Sequence, residues 1–183
     1  MIFRETSVAG AWIVEPERHA DGRGFFARTW CATEFARHGL TSHFVQASIS
    51  HTPRRGTLRG LHYQVAPHAE AKLIRCTRGA IYDVAVDLRP DSPTFRRYAA
   101  VVLDADSRHA LYVPEGCAHG FQTLIDDTEV LYQMSAPYAP DAARGVRWDD
   151  RAFAIPWPPA DRIITDRDRR YPDFSDCYAA AAR

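Results

Sequence analysis

Three short segments each set a group able to move or hold a proton inside an otherwise apolar run. They are Leu58-Arg59-Gly60-Leu61-His62-Tyr63-Gln64, Ala71-Lys72-Leu73-Ile74-Arg75 and Glu129-Val130-Leu131-Tyr132-Gln133-Met134. Side chains alternate along a strand, so Lys72 shares a face with Ile74 and Cys76, and Tyr132 with Val130 and Met134. An ammonium, a phenol and the His62 imidazole are thereby predicted to meet in one apolar cavity. Polar groups that cannot all satisfy one another are costly to bury, and their convergence favours a ligand site. Taken singly, each has a plainer explanation as a hydrogen-bonded core residue. Lys72 carries one further signal, because it is the only lysine among 23 basic residues. A compact ammonium can bond a single developing oxyanion, a task for which the broad guanidinium fork is poorly shaped.

The elements that must position these groups are mostly strands. Alternation predicts strands over residues 71–76, 81–88, 98–103, 110–113 and 129–134, separated by Gly, Pro and Asp turns. Closely spaced short strands argue for an antiparallel sandwich or barrel. One short helix is predicted over 33–38, with Thr33 as its N-cap and Gly39 just beyond its end. From 149 to 183 the chain is polar and broken by Pro156, Pro158 and Pro159, and it is predicted to wrap the surface of a single domain spanning 1–183.

Composition narrows the function. Lys+Arg and Asp+Glu balance at 23 each, so no global field favours nucleic acid or an anionic membrane surface. No apolar run approaches the ~20 residues of a bilayer span, and the first 30 residues lack a cationic start with an apolar core; a cytoplasmic protein is expected. Cys31, Cys76, Cys117 and Cys177 contain no C-x-x-C pair and read as buried free thiols.

The three segments, together with Asp87-Leu88-Arg89, Pro114-Glu115-Gly116-Cys117-Ala118-His119-Gly120-Phe121 and Arg144-Gly145-Val146-Arg147-Trp148-Asp149-Asp150, resemble in order and spacing the signatures of the dTDP-4-dehydrorhamnose 3,5-epimerases. The resemblance runs from about Phe3 to Asp168. It implies an all-β, antiparallel jelly roll of cupin type with a few short helices, working as a homodimer without metal or organic cofactor. Metal-binding cupins carry a His-x-His pair, whereas Tyr63-Gln64 follow His62 here. The implied substrate is a nucleotide-linked 4-keto-6-deoxyhexose, whose ketone acidifies the hydrogens on C3 and C5. By resemblance His62 is the base, oriented by Asp168; Tyr132 is the acid on the opposite face; Lys72 holds the enolate oxygen.

Substrate contacts are implied for Arg23, Phe26, Gln46, Ser48, Arg59, His119 and Arg167. Strict alternation puts Arg59 and His62 on opposite faces, so both reach the cavity only if Gly60 marks a bulge. The chain departs from the family pattern at Arg28, at Ala47-Ser48-Ile49, near Ala143 and at Arg167. These positions surround nucleotide and sugar, leaving carriers other than dTDP, and inversion of C3, C5 or both, open. A cupin that binds nucleotide sugars without catalysis is the other reading.

Overall fold

The computed structural model describes residues 1–174. Thirteen strands run in chain order: β1 Ile2–Glu5, β2 Trp12–Glu15, β3 Arg18–Asp21, β4 Gly24–Ala27, β5 Gln46–Thr52, β6 Leu58–Gln64, β7 Lys72–Arg78, β8 Ala80–Asp87, β9 Tyr98–Asp104, β10 Ala110–Val113, β11 Cys117–Thr123, β12 Thr128–Met134 and β13 Ala143–Gly145. Helix α1 spans Ala32–Arg37 and α2 Asp166–Arg169. A six-stranded sheet, ordered β1-β2-β10-β7-β12-β5, faces a five-stranded sheet, ordered β13-β6-β11-β8-β9, and β3 and β4 form a separate hairpin. Every strand pairing is antiparallel. The fold is the antiparallel sandwich that the strand spacing predicts and the cupin-type jelly roll that the resemblance implies.

Pleating decides what fills the space between the sheets. Ile74 and Cys76 of β7, Val130 of β12, Ile81 and Ala85 of β8, and Cys117 and Phe121 of β11 form one buried cluster. Burial drives the Cys76 and Cys117 thiols up to about 11 and about 12. Cys31 departs from expectation, being partly exposed, and Cys177 lies outside the described residues.

Both sheets are also covered on the outside. Phe35, fully buried on α1, packs with Val14, Leu73 and Tyr112 over the six-stranded sheet; burying one such ring stabilises by roughly 1.5–3 kcal/mol. Val84, Val86 and Leu88 point outward from the five-stranded sheet and are covered by Phe153, Trp157 and Phe174 of the tail. The helix begins one residue earlier than its expected span. Cys31, not Thr33, is its N-cap and makes no side-chain cap, while Gly39 follows the C-cap with φ +68. Thr33 therefore sits inside the first turn.

Candidate active site

A cavity of about 440 Å³ opens between the two sheets, within the size range of small-molecule sites. The five-stranded sheet contributes Arg59, His62 and His119. Ser50, Lys72 and Tyr132 come from the six-stranded sheet, and Thr165, Arg167 and Asp168 from the tail. Another depression, about 520 Å³ and lined by Trp148, Arg162 and Arg169, has no histidine or tyrosine in its wall.

His62 reaches the cavity through a bulge. His119 pairs with His62 and Phe121 with Arg59, so β6 has one residue more than β11 over that stretch. The extra residue is accommodated at Gly60, where φ is +110 and an added Cβ would lie 2.7 Å from the His119 carbonyl oxygen. Arg59 and His62 therefore both face inward. The bulge also turns the Gly60 N–H toward Asp168, whose Oδ2 accepts it at 3.2 Å while Oδ1 accepts from His62 Nε2 at 2.7 Å.

Asp168 arrives from far along the chain. Leu58 N–H donates to the Ile163 carbonyl, stitching the tail to the start of β6, and the Thr165 side chain caps α2 by accepting from Asp168 N–H. Burial pushes the Asp168 carboxyl up, but His62, the Gly60 N–H and Thr165 outweigh it and hold it below the usual carboxylate range. An ionised carboxylate only accepts, so Nε2 of His62 carries a proton, and in the neutral ring the lone pair is on Nδ1.

Tyr132 lies across the cavity, its ring edge-on to His119 at 6.0 Å. Burial, reinforced by the Asp83 carboxylate, pushes its phenol far above the usual range against the pull of Arg59, so it is neutral and able to donate. His119 Nε2 meets Asp83 Oδ1 at 2.7 Å, and both side chains are buried. Burial raises the Asp83 carboxyl, opposed by His119 and Lys72. Lys72 donates to the His62 carbonyl at 3.3 Å and pairs with Glu70 at 3.1 Å. It is buried, not a surface lysine. Arg59 Nε donates to Thr52 Oγ1 at 3.2 Å, bridging β6 to β5.

The remaining candidates divide. Ser48 stands opposite Tyr132 in the β5–β12 register and so shares its face, and the Gln46 side chain accepts from Tyr138 N–H at 3.1 Å. Arg167 lies at the cavity edge, its Nε donating to the Tyr171 hydroxyl at 2.9 Å. Arg23 and Phe26 are not brought to the cavity of this chain. They stand on the β3–β4 hairpin, 91% (side chain) and 76% exposed, with Arg23 folded back onto Asp21. Arg28 is also elsewhere, paired with Glu34. Sequence reading missed Asp83, Glu70 and Ser50. A carboxylate on the same strand face as Ile81 and Ala85 was the available signal for Asp83, and the Glu70-x-Lys72 spacing for Glu70.

The description of the family profile that matches residues 5–176 is dTDP-4-dehydrorhamnose 3,5-epimerase. The enzyme of that name from Mycolicibacterium smegmatis is 42% identical, over 98% of this chain and 89% of its own. Among solved structures, dTDP-4-dehydrorhamnose 3,5-epimerase from Bacillus anthracis with TDP and PPi bound superposes with a TM-score of 0.90 at 43% identity, covering 94% of this chain and 99% of that one. ChmJ, a 3′-monoepimerase from Streptomyces bikiniensis in complex with dTDP-quinovose, gives 0.84 at 35% identity, covering 96% and 87%.

Proposed function

Because the chain belongs to the dTDP-4-dehydrorhamnose 3,5-epimerase family and is an epimerase of that class, we propose that it inverts C3 and C5 of a dTDP-linked 4-keto-6-deoxyhexose, with His62 as base and Tyr132 as acid. One observation carries this assignment: His62, held by Asp168 of the tail, and the neutral Tyr132 phenol belong to opposing sheets yet line one cavity. Nδ1 of His62 takes the proton from the carbon beside the ketone, and the bonding pair moves to the carbonyl oxygen as an enolate. Lys72 stabilises that oxygen. Tyr132 then returns a proton to the opposite face as the ketone re-forms, and both groups are reset by exchange with solvent. C3 and C5 flank the same ketone, so one base and one acid serve either carbon. Inversion of C3 alone is the second reading, favoured by the similarity to a 3′-monoepimerase.

Solvent deuterium tests the assignment. Wild-type enzyme should place deuterium at each inverted carbon with inversion. Tyr132→Phe should still exchange hydrogen from the His62 face while net inversion slows by about 10²-fold or more. Inversion at the wild-type rate in that variant would remove Tyr132 from the acid's role, and label at C3 alone would select the second reading.

The working unit is proposed to be a homodimer. Arg23 and Phe26, on a hairpin remote from their own cavity, would then reach the substrate bound by a second copy, where an arginine fork and an aromatic face suit pyrophosphate and base. Sedimentation at micromolar concentration should give twice the 20.6 kDa chain mass; a monomer there would overturn the dimer. A cytoplasmic location is proposed from the nucleotide-sugar substrate; no helix of the described residues is long and apolar enough to cross a membrane.

A further inference from the structure

The ammonium of Lys72 is gripped from two sides. Glu70 Oε1 pairs with Nζ at 3.1 Å, and Nζ donates to the His62 carbonyl oxygen at 3.3 Å. Little water reaches the pair, whose side chains are 11% and 9% exposed for Lys72 and Glu70. Glu70 stands just ahead of β7, two residues before Lys72. Their support is firm: the intervening Ala71 is buried, its N–H donates to Ser135 Oγ at 2.7 Å and its carbonyl accepts from Ser135 N–H at 3.0 Å. Among the described residues, Lys72 is the only charged or hydrogen-bonding partner of the Glu70 carboxylate, so Glu70 has no other polar network to serve.

An ammonium has three N–H donors on a flexible four-carbon stem. Lys72 lines the cavity, and with one contact to Glu70 and one to the His62 carbonyl its ammonium retains a third N–H for a ligand oxygen. A donor that is already aimed loses nothing to reorganisation when charge develops in front of it. A buried ammonium also needs a counter-ion, and a carboxylate behind it meets that need without blocking the front. Because Nζ also holds the carbonyl of His62, fixing the ammonium fixes its distance to the base that makes the enolate.

We propose that Glu70 is a positioning residue for the epimerase reaction: its carboxylate holds Lys72 so that the ammonium meets the enolate oxygen formed beside His62. The proposal rests on the role given to Lys72 above, and its test separates the two. Kinetics and solvent-deuterium exchange are measured for Glu70→Ala, Glu70→Gln, Lys72→Ala and the Glu70→Ala/Lys72→Ala double variant. Glu70→Ala should lower kcat and exchange about 10- to 100-fold, with KM within about twofold, because misplacement of a catalytic group costs the transition state far more than ground-state binding. Glu70→Gln, whose amide oxygen still accepts from the ammonium, should recover part of this, leaving a loss of about three- to tenfold.

The double variant should be no slower than Lys72→Ala, since Glu70 acts only through Lys72. Additive losses in the double variant would mean a merely structural Glu70 and would overturn the proposal. Wild-type kcat in Glu70→Ala beside a crippled Lys72→Ala would overturn it while leaving the role of Lys72 standing. A wild-type rate in Lys72→Ala would overturn both. Should Glu70→Ala not fold, the near-isosteric Glu70→Gln decides: reduced kcat at unchanged KM supports the proposal, and wild-type kcat refutes it.

Discussion

Replacing His62 by Ala should abolish both inversion and solvent exchange, with a loss of about 10³–10⁴ in kcat, toward the upper end of what a positioned acid or base contributes. Among the described residues that line the cavity, no second base is placed to substitute. The cavity's other imidazole, His119, is engaged by buried Asp83 and sits edge-on to Tyr132. Asp168→Asn should depress exchange strongly, about 10²-fold, while leaving nucleotide binding nearly intact. An amide at that position keeps the volume and can still accept from Nε2, but it removes the negative charge that meets the imidazolium as it forms. It also competes with itself, because only one of its two heads can accept, whereas the carboxylate accepts from His62 and from Gly60 together. The check is deuterium uptake by the 4-keto sugar beside equilibrium binding of the nucleotide. Persistent exchange in His62→Ala would place the base elsewhere.

The second large effect is expected at Lys72. Lys72→Arg preserves the charge and alters only shape and donor geometry, and it should lower kcat by about 10²–10³, the scale for losing one well-aimed oxyanion donor. The site leaves little room for a guanidinium. Lys72 is 9% exposed, lies in register with Val113 on one side and Met134 on the other, and its head is set between Glu70 and the His62 carbonyl. A planar fork there must either break the Glu70 contact or push its second nitrogen into the cavity. Circular dichroism and thermal melting should show a folded protein, so that the loss reads on chemistry. Turnover at the wild-type rate would end the enolate role.

Recognition of the carrier is a separate question from proton transfer. The Arg28 that departs from the family pattern is held by Glu34 away from this chain's cavity, and Arg167 stands at the cavity edge beside Tyr171. Among the described residues, neither makes a hydrogen bond or ion pair with His62, Lys72 or Tyr132. Running the exchange experiment with dTDP-, CDP-, GDP- and UDP-linked 4-keto sugars would therefore report on recognition with the chemistry unchanged.

Much of the scaffold was legible because strand periodicity is a property of the backbone itself. Lys72 with Ile74 and Cys76, and Tyr132 with Val130 and Met134, face inward as the two-residue repeat requires, and the spans at 110–113 and 98–103 match β10 and β9 to within a residue. Strand β5, Gln46–Thr52, escaped that reading because it is an edge strand whose outer residues, Ile49 included, meet no second layer and so show no apolar alternation. Pairing lies beyond local pattern altogether. His62 and Asp168 are 106 positions apart, and they meet only because the tail is hydrogen-bonded to the start of β6 and α2 lands over the bulge at Gly60. Only resemblance suggested that bulge, since a single glycine in a strand does not say how many residues oppose it. Asp83 met His119 through the register of β8 with β11, whereas Glu70 and Lys72, two residues apart, are neighbours along the chain. The sequence by itself therefore determined which residues of the regular strands turn inward, the bulged β6 excepted, because alternation is written residue by residue along one strand. Which inward groups touch was decided by the tertiary structure alone, because contact between strands depends on register and closure that no single segment encodes.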